Sequence, residues 1–117
     1  MYSPVYFRAP EWRCKCGNIG CPAGAKPLAD PVLKFLDLVR AALGAPITIT
    51  SGWRCPAHNA ATPGAAQNSL HMRGRAADIC AANMTDLAAI VRRLAALPDI
   101  SPGELKIGRG YIHVGYK

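Results

Sequence analysis

The glycine at position 74 decides how the most unusual stretch of this 117-residue chain can fold. It lies between His71 and Asp78. Asp78 lies among alanines in the sequence, and its carboxylate needs a partner if it is buried. In one continuous helix these two residues would lie ~10 Å apart along the axis. A turn at Gly74 followed by a strand over residues 75–80 would instead bring Asp78 back beside His71. We therefore predict a turn and a strand.

The side chains of this predicted strand alternate between its two faces. Asp78 shares a face with Ala76, and this small neighbour leaves room beside the carboxylate. Ala77 and Ile79 are then expected to point into the core.

A first amphipathic helix is predicted over residues 31–43. Asp30 suits the N-cap position with Pro31 at the first helical position, and Gly44 suits the end of a helix. Apolar residues recur at three- and four-residue intervals, as on a buried helix face: Leu28, Val32, Phe35, Leu36, Val39 and Leu43. Three polar residues are expected to face water: Lys34, Asp37 and Arg40.

A second helix is predicted after Asn83, which with Asp86 resembles a helix cap, and it ends before Pro98. Its apolar stripe consists of Leu87, Ile90, Val91, Leu94 and Leu97. Both helices are interpreted as scaffold.

A short helix could start at Pro56, and short strands account for the other ordered segments. Residues 46–51 alternate in a way that places Ile47 and Ile49 toward the core, and Gly52 then turns the chain. Residues 104–107 and 111–116 are typical of a hairpin around a glycine-rich turn.

In the last strand His113 lies on the face opposite the apolar one, which is made of Ile112, Val114 and Tyr116. We predict a single α+β domain over residues 1–117, in which a small antiparallel sheet has helices packed on one side.

An irregular arm is predicted for residues 1–27, because this segment is rich in proline, glycine and cysteine and lacks a sustained apolar period. Trp12 is expected to anchor the arm, with an exposed sugar-binding platform as the alternative. Five cysteines cannot all pair within the chain. One or two disulfides, or a small structural metal knot, could tie the arm to the core. The C-x-C-x4-C spacing matches zinc fingers poorly, which favours disulfides or thiols.

The surface is expected to be basic, since Lys and Arg number 14 against 7 Asp and Glu. Such a surface attracts polyanions such as nucleic acid, anionic lipid or bacterial cell wall. The basic residues are scattered, so no nucleic-acid groove is predicted. The chain has no apolar run of membrane-spanning length, and its first ten residues lack the pattern of a secretory signal. Either the protein reaches its site without one, or the signal is missing from this sequence.

Two histidines and an aspartate are the candidate ligands of one zinc ion: His71, Asp78 and His113. Three protein ligands leave a fourth position for water, which is the arrangement of a catalytic site. The expected reaction is then hydrolysis of an amide. In the alternative interpretation His71 caps a helix, Asp78 pairs with Arg73 or Arg75, and His113 faces solvent. His58 is interpreted either as a surface or capping residue or as a direct participant.

The motifs of this chain resemble those of peptidase family M15, the zinc D-alanyl-D-alanine carboxypeptidases and peptidoglycan endopeptidases, and most closely its small phage and prophage members. Ser69-x-His71-x6-Asp78 is followed by Ile112-His113-Val114. The stretches ITSGWRCPAHN, HMRGRAADI and IGRGYIHVGYK come in the family's order and span nearly the whole chain. The S-x-H-x6-D motif alone also occurs in hedgehog signalling domains, which share the fold.

The resemblance implies one zinc per chain and a role for several further residues. Arg54 would lie near the carbonyl oxygen or carboxylate of the substrate, and Ser69 would support the site. Trp53 and Tyr111 are further predicted substrate-binding residues. Glu104 is the candidate general base, because it is the only acid between Ser101 and His113.

Two positions depart from the family pattern. Well-known members commonly carry an acid three residues before the last histidine, where this chain has Gly110. Many small members carry an aspartate two residues after it, where this chain has Gly115.

The resemblance implies an enzyme that cuts peptidoglycan stem peptides at the bacterial cell wall, in the periplasm, outside the cell or in association with a phage. We expect a monomer. Neither a membrane nor a specific nucleic acid is expected as a partner. A non-catalytic zinc-stabilised cell-wall-binding or phage structural module is the alternative.

Overall fold

One antiparallel sheet organises the chain in the computed structural model, which describes residues 2–17, 21 and 26–117. In chain order the helices and strands of these residues are α1 (Ala9–Trp12), α2 (Asp30–Leu43), β1 (Thr48–Ser51), α3 (Pro56–Ala61), the 3₁₀ helix Leu70–Arg73, β2 (Ala76–Cys80), α4 (Met84–Ala95), β3 (Glu104–Ile107) and β4 (Ile112–Gly115). The four strands pair in the order β1-β2-β4-β3. The predicted α+β class is therefore confirmed.

The hydrophobic core lies between the sheet and the two long helices α2 and α4. It consists of Phe7, Trp12, Leu28, Val32, Leu33, Phe35, Leu36, Val39, Ile47, Ile49, Ala77, Ile79, Leu87, Ala88, Val91, Ile112 and Val114. Burial of each large aliphatic or aromatic side chain contributes about 1.5–3 kcal/mol relative to its exposure. Because the core takes one face of the central strands, the side chains on their other face remain for a site.

Helix α2 begins one residue earlier than predicted, and Asp30 is not its N-cap. Ala29 holds that position and makes no side-chain cap. The Asp30 carboxylate instead accepts a hydrogen bond from the backbone N–H of Tyr2 at 3.0 Å. The helix ends as predicted at Gly44, which adopts the left-handed conformation with φ 68° and donates its N–H to the Arg40 carbonyl.

Asp37 is buried, and its expected contact with water is therefore wrong. Its carboxylate accepts hydrogen bonds from the Tyr2 hydroxyl, from the Val5 N–H at 2.8 Å and from the Tyr6 N–H at 3.2 Å. The N-terminal arm thus covers this side of α2 and satisfies a buried charge there.

The arm is anchored by Trp12, as predicted, since this side chain is 5% exposed in the core. Its indole N–H donates to the Lys26 carbonyl at 3.2 Å. The short helix α1 interrupts the predicted irregular segment. The parts of that prediction that concern residues 1, 18–20 and 22–25 lie outside the described residues.

Helix α4 has the predicted cap, because the Asn83 side chain accepts the Asp86 N–H at 3.0 Å. Leu97 lies beyond the end of the helix and is 49% exposed, so its place in the buried stripe is wrong. The strands are also slightly shorter than predicted at β1, β2 and β4. None of the helices within residues 2–17 and 26–117 has the length and apolar character needed to cross a membrane.

Candidate functional site

The pairing of β2 with β4 brings the first two site residues together. Asp78 and His113 are direct partners across these strands. Their neighbours in the strands, Ala77, Ile79 and Val114, are fully buried in the core on the opposite face. Strand alternation therefore places both Asp78 and His113 on the face away from the core, as predicted.

A tight turn supplies the third residue, His71. The Ser69 hydroxyl accepts the His71 N–H at 3.2 Å at the start of the 3₁₀ helix. Gly74 ends this helix in the left-handed conformation, with φ 65°. A side chain at Gly74 would also collide with the Trp53 ring, because its Cβ would come within 2.3 Å. The predicted turn is confirmed, and it directs His71 back toward β2.

Three ligand atoms converge on one point. His71 Nε2 lies 3.2 Å from Asp78 Oδ1, and His113 Nδ1 lies 2.8 Å from the same oxygen. One ligand atom of each residue lies within 4.8 Å of those of the other two, and the two imidazole rings are 5.2 Å apart between centroids. His71 is 2% exposed. The predicted ligand set is thus gathered at one place.

The hydrogen-bonding pattern of the two rings fits a bound cation. The second nitrogen of each ring also faces an oxygen: His71 Nδ1 lies 2.7 Å from the Gly52 carbonyl, and His113 Nε2 lies 2.9 Å from Glu104 Oε1. Carbonyl and carboxylate oxygens only accept hydrogen bonds, so without a cation both rings would have to be doubly protonated.

A divalent ion between the three ligand atoms removes this conflict. Each imidazole would then be neutral, with one nitrogen toward the ion and the other donating its proton to Gly52 or Glu104. Two imidazole nitrogens and one carboxylate oxygen form a donor set that zinc prefers. His71, Asp78 and His113 therefore fit zinc.

The charges around Asp78 favour its ionised form. Burial would raise the pKa of this carboxyl, but hydrogen bonds from His113 and His71, together with their charges, outweigh that effect and hold the pKa well below its usual range. The hydrogen bond to Asp78 is the main cause that raises the pKa of His113; burial opposes it and Glu104 adds to it. The carboxylate at the centre of the site is ionised at neutral pH.

Arg54 holds the second oxygen of Asp78. Its Nη2 lies 3.5 Å from Asp78 Oδ2, its Nη1 donates to Asn59 Oδ1 at 3.0 Å, and its Nε donates to Ser51 Oγ at 3.2 Å. The backbone N–H of Arg54 also donates to the His71 carbonyl at 3.0 Å. This 8% exposed arginine is therefore fixed at three points beside the ligand cluster.

A cavity of about 260 Å³ opens over the ligand cluster. Of the predicted substrate-binding residues, Arg54, Ser69 and Tyr111 line it and Trp53 does not. The Trp53 indole N–H instead donates to the Pro27 carbonyl at 3.3 Å, which ties the arm to the turn after β1. Glu104 also lines the cavity.

Two further residues of the site escaped the sequence analysis. Asn59 binds Arg54 and donates from its side-chain nitrogen to the Ala66 carbonyl at 2.8 Å, so it joins the guanidinium to the loop over the cavity. Its place in the ITSGWRCPAHN stretch was the available signal. Lys106 is the strand partner of His113 and lines the cavity. Lys106 follows Glu104 by two residues in β3, so the strand pattern predicts that both side chains lie on the same face.

The non-metal interpretation does not match the observed contacts of Asp78 and His113. Asp78 pairs with Arg54, while Arg75 Nε donates to the Tyr116 carbonyl at 2.7 Å. The side chain of His113 is 19% exposed and held between two carboxylates. His58 lies elsewhere, with its Nδ1 3.8 Å from Cys14 Sγ.

Two histidines and an aspartate around one point, beside a buried arginine and open to a cavity, define the arrangement of a metal-dependent hydrolase. The family model described as Peptidase M15 matches residues 5–115, and the chain therefore belongs to peptidase family M15. Members of this family are zinc-dependent in general. Searches of curated proteins and of solved structures found no significant match.

Proposed function

We propose that this protein is a zinc-dependent peptidase that hydrolyses an amide bond in the peptide stems of bacterial peptidoglycan. The observation that carries the proposal is the convergence of His71, Asp78 and His113, one ligand atom of each lying within 4.8 Å of the others, in a cavity lined by Arg54. The family adds support, because membership of M15 suggests a peptidoglycan substrate. The site of action would be the bacterial cell wall.

The cavity has the charges that a peptide ending in a carboxylate requires. Arg54 and Lys106 both line it. A guanidinium can offer paired N–H donors to a carboxylate or to a carbonyl that gains negative charge. Arg54 is already oriented by Ser51 and Asn59, so little ordering is needed when a substrate binds.

The protein side chains divide the chemical work between them. His71, Asp78 and His113 would hold the zinc ion, which when bound would supply Lewis-acid polarisation of a carbonyl and a more acidic water. Arg54 orients the carbonyl or the terminal carboxylate. Tyr111 and Ser69 form part of the cavity wall.

Glu104 has two possible tasks, and its position favours a combination of them. Its Oε1 accepts a hydrogen bond from His113 Nε2 at 2.9 Å, which holds the ring with Nδ1 toward the ligand cluster. Its carboxylate is also partly exposed and lines the cavity, where it can accept a proton from water and pass it to the leaving amine.

A second candidate is a non-catalytic, zinc-stabilised module that binds cell wall or forms part of a phage particle. The engagement of Glu104 with His113 favours it, since a carboxylate committed to a ligand is less available as a base. The glycine at position 110 also favours it, because this position offers no alternative acid.

Digestion of purified peptidoglycan tests the proposal. The zinc-loaded protein should release new amino or carboxyl ends, and chelation or the His71→Ala substitution should abolish release. Release of D-alanine alone would identify a carboxypeptidase, whereas new ends without free alanine would identify an endopeptidase. Co-sedimentation with the wall without any release would establish the binding module, and the absence of both activities would refute both candidates.

A further inference from the structure

A second group of metal-ligating side chains lies away from the candidate active site. The sulfur atoms of Cys14, Cys16, Cys21 and Cys55 all lie within 4.8 Å of one another. Cys14 is buried and the other three are half-buried. Three of these residues belong to the N-terminal arm, and the fourth directly follows Arg54. Tertiary structure therefore adds a fourth sulfur to the three that are close in sequence.

The geometry of the four sulfurs suits a tetrahedral ion. With zinc–sulfur bonds of about 2.3 Å, the sulfurs of a four-cysteine site lie about 3.8 Å apart. The observed limit of 4.8 Å on every pair is compatible with that tetrahedron after small side-chain rotations. Four thiolates complete the coordination of zinc and leave no open position, as in structural sites.

Hydrogen bonds from the backbone stabilise two of these sulfurs. The Cys55 N–H donates to Cys14 Sγ at 3.3 Å, and the His58 N–H donates to Cys55 Sγ at 3.4 Å. Such N–H donors orient thiolate ligands and offset part of their negative charge. The same N–H groups would form only weak hydrogen bonds to a neutral thiol, because its sulfur is a poor acceptor.

We propose that Cys14, Cys16, Cys21 and Cys55 bind a second, structural zinc ion. The C-x-C-x4-C spacing alone favoured disulfides or thiols, because it matches zinc fingers poorly. In the structure Cys55 joins these three cysteines from the turn after β1.

This ion would fasten the arm to the turn that carries Arg54. The arm already contacts that turn, since the backbone N–H of Trp53 donates to the Trp12 carbonyl at 2.8 Å. The contact is close: a Cβ added at Gly52 would lie 2.5 Å from the same oxygen. Each of these contacts lies within a few residues of Cys14 or Cys55. The second zinc would thus hold the backbone of Arg54 in place without contacting the substrate.

Metal counting on variants tests the second site. Wild-type protein, purified under reducing conditions and dialysed against zinc-free buffer, should retain about two zinc ions per chain by mass spectrometry. Cys16→Ser and His71→Ala should each retain about one. Cys80→Ser is the matched control, because Cys80 lies on β2 outside the cluster, and it should retain both.

Cobalt substitution assigns each ion to its ligands and remains informative if Cys16→Ser fails to fold. The His71→Ala protein loaded with cobalt should show thiolate-to-cobalt charge-transfer bands and the intense visible bands of a tetrahedral sulfur site. Alkylation tests for disulfides: once the metal is chelated and the protein is denatured without reduction, all four cysteines of the cluster should be modified. A wild-type protein with a single zinc that His71→Ala removes, or a mass showing disulfides among these four residues, would overturn the proposal. Neither outcome depends on whether the protein cleaves peptidoglycan.

Discussion

Glu104 and Gly115 are direct partners across β3 and β4, and the Glu104 carboxylate crosses the space that a side chain at position 115 would occupy. A Cβ at this position would lie 3.1 Å from Glu104 Oε1 and 3.4 Å from His113 Nε2. A carboxylate at 115, as in the family pattern, would therefore project toward the same ring nitrogen that Glu104 now contacts. The glycine at position 115 therefore leaves the space that the Glu104 carboxylate occupies.

Gly115→Ala should lower both stability and activity. The new methyl group would also lie 2.9 Å from Leu70 Cδ1, so the free energy of unfolding should fall by about 1–3 kcal/mol, as is usual for overpacking. Displacement of Glu104 should reduce turnover as well. Denaturant unfolding and peptidoglycan digestion measure the two effects.

Gly110→Ala is the matched control for this substitution. No heavy atom lies within 4 Å of the Cβ that it would add, and the backbone there has no positive φ. Its effect on unfolding should stay within about 0.5 kcal/mol. Equal losses in the two variants would contradict the crowding assigned to position 115.

Glu104→Gln separates the two tasks of this residue. If Glu104 transfers the proton, turnover should fall by ~100-fold or more while zinc affinity is kept. If it only orients His113, zinc affinity itself should weaken by about 10–100-fold. We expect the loss of turnover to be the larger effect, and kinetics combined with competitive chelation measures both. Asp99→Asn, which removes an acid outside the site, should change neither quantity.

Arg54→Lys should impair the site although the charge is kept. An ammonium group cannot contact Ser51, Asn59 and Asp78 together, so at least one buried partner is left unsatisfied. The unfolding free energy should fall by about 1–3 kcal/mol, and kcat/KM by at least about 10-fold. Arg73→Lys, at an exposed position of the neighbouring turn, should behave as wild type. Wild-type kinetics for Arg54→Lys would exclude a specific role of the guanidinium.

Tyr116 should make stability depend on pH in the alkaline range. Burial raises the pKa of its hydroxyl to about 12, above the value of about 10 in an unfolded chain. The neutral form is favoured by folding, so this contribution is fully present below about pH 10 and is lost as the pH rises through about 12. Tyr116→Phe should therefore flatten the fall in unfolding free energy over this range. Denaturant titrations at several alkaline pH values measure it, and an unchanged slope would contradict the assignment.

The turn between His71 and Asp78 and the strand face that carries His113 were predictable from sequence, because both depend on local rules. Gly74 excludes a continuous helix between His71 and Asp78, and a period of two decides which side of β4 carries His113. Caps and periodicity likewise located α2 and α4 to within a few residues. These signals act over one turn or one strand, so no tertiary information is needed to read them.

The remaining features depend on contacts between distant segments. Asp37 has a surface position in the helical pattern and is buried only because the arm covers it. The approach of Glu104 to His113 follows from the register of β3 against β4, which the hairpin turn alone does not determine. Cys55 meets the cysteines of the arm only after the core has formed. No local pattern contains this information.

The pairing of Asp78 with His113 also has a consequence for folding. A slip of one residue between β2 and β4 would turn His113 toward the core and remove it from Asp78, since neighbouring side chains in a strand face opposite ways. An ion that requires both ligands stabilises only the correct alignment. Zinc present during synthesis would therefore favour the native register of β2 against β4. Chains that fold without zinc would populate shifted registers more often.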